Sequence, residues 1–373
     1  MDLLLLIFAG MLFLAYANGA NDNFKGVATL LGSNTLSHRK SLAWATVTTL
    51  AGALTAAFFA TELARIFSGK ELIPDSIITA PEFMLAVMTG AALTVFVAAR
   101  FGIPISTTHS LIGGLVGAGI MAVGSDLNMA ALGSNYFIPL AASPLIAVAV
   151  AGLLYLILTK GRKALGITKD NCLCIGQKRL ATAIIPEGMT PTMMLSQMDI
   201  IVDSEENCEV KAVDMYRGRM LGISIQSMVD TMHILSAGAV SFARGLHDTP
   251  KIVGVALVAS TMDLQWITFL AATAMATGGV LQSRKIAKTM SEDITAMNHG
   301  QGLAANLVTS IMVLFASKWG VPVSTTHVSC GSIFGIGAVN GKARWSVIRS
   351  IVLAWVLTLP VAAGISAVTY LAL

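Results

Sequence analysis

Read for hydrophobic and polar positions, the chain is a series of long apolar runs with short polar breaks. Stretches 101–125, 127–159 and 350–373 contain no Lys, Arg, Asp or Glu. About 20 consecutive apolar residues is the length of a helical bilayer crossing. The pattern predicts apolar segments at 3–31, 41–67, 136–159, 220–260, 264–283 and 345–371. It also predicts two pairs of arms, 83–99 with 105–124 and 299–317 with 323–340. Polar residues interrupt the first segment at Asn18–Asn23 and the 220–260 segment at Arg244–Lys251. Such interruptions predict broken helices that line a cavity.

Two phrases occur twice. Residues 102–109 read Gly-Ile-Pro-Ile-Ser-Thr-Thr-His, and 320–327 read Gly-Val-Pro-Val-Ser-Thr-Thr-His. Upstream, Ala17-Asn-Gly-Ala-Asn-Asp-Asn-Phe-Lys25 aligns with Ala243-Arg-Gly-Leu-His-Asp-Thr-Pro-Lys251. The chain therefore reads as a first repeat (1–159), an insert (160–219) and a second repeat (220–373). Each repeat carries an interrupted helix and a helical hairpin with a Ser-Thr-Thr-His tip. The expected fold is an all-α polytopic membrane protein made of two repeats that share one site.

Composition supports this. The chain is 55% hydrophobic and 12% charged, against about 25% charged for a soluble domain. Net charge is only +4 and dispersed, which argues against a nucleic-acid partner; the partner is the lipid bilayer. The four cysteines read as free thiols. Loops 33–40, 160–219, 284–293 and 341–349 are rich in Lys and Arg, whereas the N-terminus, 125–134 and 261–263 contain Asp without Lys or Arg. The positive-inside rule then places 160–219 in the cytoplasm and both termini outside a plasma membrane. Each hairpin enters and leaves on one side, so each repeat has three net crossings. An odd repeat is inserted upside down relative to its copy, which predicts inverted repeats. A homodimer stays compatible with the sequence.

The chemistry lies in the repeated phrases. Ser106, Thr107 and Thr108 follow Pro104, and Ser324, Thr325 and Thr326 follow Pro322. Ser and Thr favour helix N-caps. A half-helix starting there joins free backbone N–H groups to hydroxyls and forms an anion cradle. Asp22 and Asp248 are ionisable groups within apolar spans, which marks them as functional. With Asn21, Asn23 and Thr249 nearby they suit hard monovalent cations, which would offset a bound anion. The competing reading pairs Asp22 with Lys25, and Asp248 with Lys251 or Arg244. His109 and His327 end the clusters, and His247 stands where the first copy has Asn21. No metal triad or nucleophile–base pair accompanies the clusters, so the reading is a transporter and not an enzyme.

The two Pro-[Ile/Val]-Ser-Thr-Thr-His phrases and the two Gly-x-x-Asp phrases resemble the inorganic phosphate transporter family of sodium- or proton-coupled carriers. The resemblance covers both repeats and fails in the insert. It implies a secondary active transporter importing inorganic phosphate, with phosphate on Ser106, Thr107, Thr108, Ser324, Thr325 and Thr326. Sodium, a co-transported ligand and not a cofactor, falls on Asn21, Asp22 and Asp248. Asn23, Thr249, His247, Lys25, Lys251 and Arg244 are auxiliary. A proton-coupled phosphate symporter, or a permease for sulfate or another oxyanion, is the alternative.

Overall fold

The computed structural model describes residues 3–59, 61–166, 171–177, 198–204, 221–257 and 263–373. It divides into two compact units: residues 1–156 with 233–373, and residues 157–232. The stretches of chain before and after the smaller unit thus build one body. Within the described residues, eight helices are long and apolar enough to cross a membrane.

The first repeat contains α1 (Leu3–Asp22), a 3-10 turn at Asn23–Gly26, α2 (Ala28–Gly32), α3 (His38–Phe59), α4 (Thr61–Phe67), α5 (Asp75–Ile78), α6 (Pro81–Phe101), α7 (Thr107–Val123), α8 (Met129–Ala131) and α9 (Ile138–Ala164). The second contains α10 (Ile225–Leu257), α11 (Leu264–Gln282), α12 (Arg284–Lys288), α13 (His299–Lys318), α14 (Thr325–Asn340) and α15 (Trp345–Ala372). The hairpin arms predicted from apolarity are α6 with α7 and α13 with α14. In the smaller unit, β1 (Asn171–Gln177), β2 (Met198–Ser204) and β3 (Leu221–Ser224) form an antiparallel sheet in the order β2-β1-β3. The all-α expectation therefore holds for the spans; the smaller unit adds a small sheet, whose third strand comes from the start of the expected second repeat. Segments 167–170, 178–197 and 205–219 of the insert, with Cys208, lie outside the described residues, as does residue 220.

The two expected breaks fall differently. In the first repeat the α-helix persists through Asn18–Asp22 and changes to 3-10 geometry only at Asn23–Gly26. In the second there is no break at all: α10 runs continuously through Arg244–Lys251, Pro250 included. The polar side chains there find partners without unwinding the helix: Asp248 pairs with Lys251, and Arg244 and His247 reach residues of other elements. Thr249 even donates its hydroxyl back to the Gly245 carbonyl at 2.8 Å.

Packing interlocks the repeats. A methyl group at Gly19 on α1 would overlap the Met275 carbonyl on α11, and one at Gly278 would overlap that of Tyr16. The counterpart contact joins α10 to α3: Gly245 abuts the Thr49 carbonyl and Gly52 that of Phe242. The hairpins exchange in the same way. Gly113 and Gly117 of α7 abut backbone at Leu359 and Ala363 on α15, while Gly331 and Gly335 of α14 abut Pro144 and Val148 on α9. Each repeat is thus completed by spans of the other. Between helices in lipid there is little hydrophobic drive, so association rests on close backbone approach at such small residues. Outward positions such as Leu145, Val356 and Leu371 are apolar and exposed, as lipid contact requires.

Overpacking this contact tests the interlock. Gly278→Leu is expected to cost about 1–3 kcal/mol, read as a lower melting temperature in detergent. Gly364→Ala, where a new methyl meets nothing within 4 Å, should leave the melting temperature unchanged or raise it.

Candidate functional site

Both tips are built alike. Glycines with positive φ, Gly102 (76°) and Gly320 (67°), turn the chain at the ends of α6 and α13. Proline and two apolar residues follow, and then Ser106 and Ser324 cap α7 and α14. Ser106 Oγ accepts from the His109 N–H at 3.1 Å, and Ser324 Oγ from that of His327 at 3.2 Å. The helix starts expected from the Ser-Thr-Thr phrases are present, and each serine oxygen is engaged as the cap. The serine O–H remains able to donate.

The two tips meet the two aspartates in a reciprocal network. Asp22 Oδ1 is paired with the Lys25 ammonium, and its Oδ2 accepts from Asn18 (3.0 Å) and Thr107 (3.3 Å). Lys25 also donates to Asn21 Oδ1 (2.6 Å), to the Ile105 carbonyl (2.8 Å) and, across the repeats, to Thr326 Oγ1 (2.6 Å). In the second copy Asp248 Oδ1 is paired with Lys251 (3.1 Å), and its Oδ2 accepts from Thr325 (3.1 Å). Lys251 donates to the Val323 carbonyl (2.9 Å) and, across the repeats, to Thr108 Oγ1 (2.9 Å). Each lysine thus bridges its own aspartate, its own tip carbonyl and the other repeat's threonine. All four charged groups are buried.

Arg244 breaks the symmetry. It stands where the first copy has Asn18, is buried, and donates to Asn18 Oδ1 (3.2 Å), Asn23 Oδ1 (3.2 Å) and Thr49 Oγ1 (3.0 Å). Three cationic and two anionic groups leave the centre with one positive charge in excess. A buried unpaired charge costs several kcal/mol, so the centre is suited to receive an anion. As it stands it is closed on its own side chains. The cavity beside Lys25 and Arg244 holds only about 10 Å³, near the volume that admits one water.

Several residues named from sequence sit elsewhere than expected. Asn21 touches Lys25 and the Ile103 carbonyl, not Asp22. Asn23 bonds Thr46 and Arg244. Thr249 bonds its own helix backbone. His247 lies between Ser317 (2.9 Å) and the Val323 carbonyl (3.1 Å), where it braces the second hairpin. The lysines lie at the centre of the network. The His109 and His327 rings lie against each other at a tilt (centres 4.6 Å apart), and His327 stacks on Trp355 (3.9 Å). The Trp355 indole N–H donates to the Pro104 carbonyl at 3.0 Å. Sequence reasoning did not select Asn18, Ser317, Trp355 or the carbonyls of Ile105 and Val323. Asn18 carried a readable signal: it is one helical turn before Asp22 and aligns with Arg244.

Eight helices long and apolar enough to cross a membrane among the described residues, with two like-built tips around a buried charged centre, define a polytopic membrane protein with a repeated architecture. The chain belongs to the phosphate transporter family, whose pattern it matches over residues 18–366. It is 28% identical to a Rhizobium meliloti protein described as a low-affinity inorganic phosphate transporter, over 99% of this chain and 96% of that one. It is 27% identical to a Thermococcus kodakarensis protein described as a phosphate permease, over 95% and 93%. A solved structure described as "The sodium-dependent phosphate transporter" shares its fold, with a TM-score of 0.74, 19% identity and coverage of 100% and 99%.

The ion pairs are open to a double-mutant test. Lys25→Met leaves Asp22 buried without its partner and should destabilise the protein by roughly 3–5 kcal/mol. Adding Asp22→Asn should recover much of that loss. The thermal stability of purified single and double variants gives the coupling energy; additive effects would mean the pair does not interact.

Proposed function

We propose that this chain imports inorganic phosphate across the plasma membrane as a secondary active transporter, with sodium as the driving ion. Two inverted repeats grip the anion between their tips. The observation that carries the reading is the reciprocal network, in which hydroxyls of both tips and both lysines converge on one buried centre. A tetrahedral oxyanion offers acceptors on all sides. It would draw donations from Thr107, Thr108, Thr325 and Thr326, from the O–H groups of Ser106 and Ser324, and from Lys25 and Lys251. Arg244 supplies the excess positive charge.

Coupling follows from the same groups. When phosphate takes the two ammonium groups, Asp22 and Asp248 lose their counter-charges. A bare carboxylate near a phosphate in low dielectric is strongly repelled, and a sodium ion bridging the two removes the repulsion. Phosphate and sodium then raise each other's affinity, as linkage requires. The description of the solved relative as sodium-dependent supports this choice. A second reading is favoured by the lysines themselves: both carboxylates are already paired, and permanent pairing would make phosphate binding independent of sodium. Protonated phosphate can also donate to a carboxylate, which sulfate cannot do, so phosphate is preferred over sulfate.

Uptake into proteoliposomes decides among these. Phosphate affinity is expected to rise with sodium, and Asp22→Asn or Asp248→Asn should abolish both that dependence and uptake. Thr108→Ala and Thr326→Ala should each weaken phosphate about 10- to 100-fold, the loss of one charged hydrogen bond. Affinity that ignores sodium and follows pH would assign the drive to protons. Sodium-driven uptake by Asp22→Asn/Lys25→Met would reduce Asp22 to a partner for the lysine. For orientation, a cysteine placed at 190 should resist impermeant labelling in sealed right-side-out vesicles while one at 130 reacts.

A further inference from the structure

Away from the charged centre, a cavity of about 660 Å³ opens between the start of α3 and the short helix α12. Four cationic side chains, Arg39, Arg284, Lys285 and Lys288, line it together with His38 and one carboxylate, Glu292. Counted as charges, the lining carries three positives in excess with His38 neutral. The volume lies within the roughly 300–1,000 Å³ of ligand sites and exceeds what a bare phosphate needs.

Its position in the bundle is informative. The apolar span of α3 begins at His38, and that of α11 ends at Gln282, two residues before Arg284. The cavity therefore lies where two spans end, at the level of lipid headgroups. It is on the side of the two basic loops, which attracts anionic lipid. One polar atom there is unsatisfied: His38 Nε2 is buried and has no hydrogen-bond partner.

The walls also connect to the transport centre. The His38 ring stacks on Phe24, centres 5.0 Å apart, and Phe24 is the neighbour of Lys25. Lys285 Nζ donates to the Arg100 carbonyl at 2.9 Å, and Thr289 Oγ1 to that of Gly102 at 2.9 Å. Both bonds fix the turn that leads into the first tip.

We propose that this cavity binds a phosphate group, carried by the headgroup of an anionic phospholipid, and that its occupant braces Phe24 and the Arg100–Gly102 turn. Free inorganic phosphate offers the same chemistry; the cavity's size and its place at the span ends favour the lipid. The inference does not depend on what the central site transports.

The test uses the full chain in detergent, with native mass spectrometry to read retained lipid. Phosphatidylglycerol and phosphatidylcholine are added at equal concentration, with and without excess inorganic phosphate. Wild type is expected to retain phosphatidylglycerol selectively. Arg39→Gln/Arg284→Gln/Lys288→Gln should weaken it about a hundredfold, at roughly fivefold per charge. Glu292→Gln should strengthen it, an effect opposite in sign to misfolding. Displacement of the lipid by inorganic phosphate would support the same pocket with the free ion as its source. Equal retention of the two lipids, or equal retention of phosphatidylglycerol by wild type and the triple variant, would overturn the proposal.

Discussion

The structure depends on neutralising two carboxylates in a place without water. Asp22 and Asp248 are buried in apolar spans, and neither could remain there alone. Lysines three residues along the same stretch meet them. Each ammonium has donors left over after that pairing. Those reach the tip carbonyls Ile105 and Val323 and the threonines Thr326 and Thr108 of the opposite repeats. One electrostatic requirement therefore also positions both hairpins. The glycine contacts let the helices come close enough for these short bonds to form, because any side chain at Gly19 or Gly278 would push α1 and α11 apart.

In the proposed function, this closed centre has to open to receive its anion. Most donors in the network already have an acceptor inside the protein; the Arg244 Nε–H is buried without one. An oxyanion offers the same donors a richer acceptor. The two states then differ mainly in which oxygen the ammonium and hydroxyl groups face, and not in how many bonds they make. In the proposed function, the excess charge contributed by Arg244 favours the anion-bound state.

The two halves are equivalent at the tips and differ at the helices that serve them. The first repeat passes from α-helix to 3-10 turn beside Lys25, whereas the second keeps one helix through Lys251. Asn18 faces Asp22 in one half, and Arg244 takes its place in the other. His247 braces the second hairpin through Ser317 and Val323, while Asn21 holds the first through Ile103. Two different devices thus stabilise two matching tips.

Most of the spans, the hairpin arms, the helix starts at Ser106 and Ser324, and the pairing of two polar phrases were legible in the sequence; the 220–260 segment instead opens as strand β3, and 41–67 divides into α3 and α4. The legible features are local: apolar run length, proline and serine at a helix start, and a short phrase that recurs nearly unchanged can each be read within a few residues. What the sequence could not decide was which polar group meets which. Asn21, Asn23 and Thr249 neighbour the aspartates along the chain, yet their side chains leave the helix in other directions and bond elsewhere. The lysine-to-threonine bonds join residues 301 and 143 positions apart. The exchange of hairpins onto α9 and α15 likewise exists only once both repeats are folded together. Separation along the chain carries no information about these contacts; helix direction and close packing determine them.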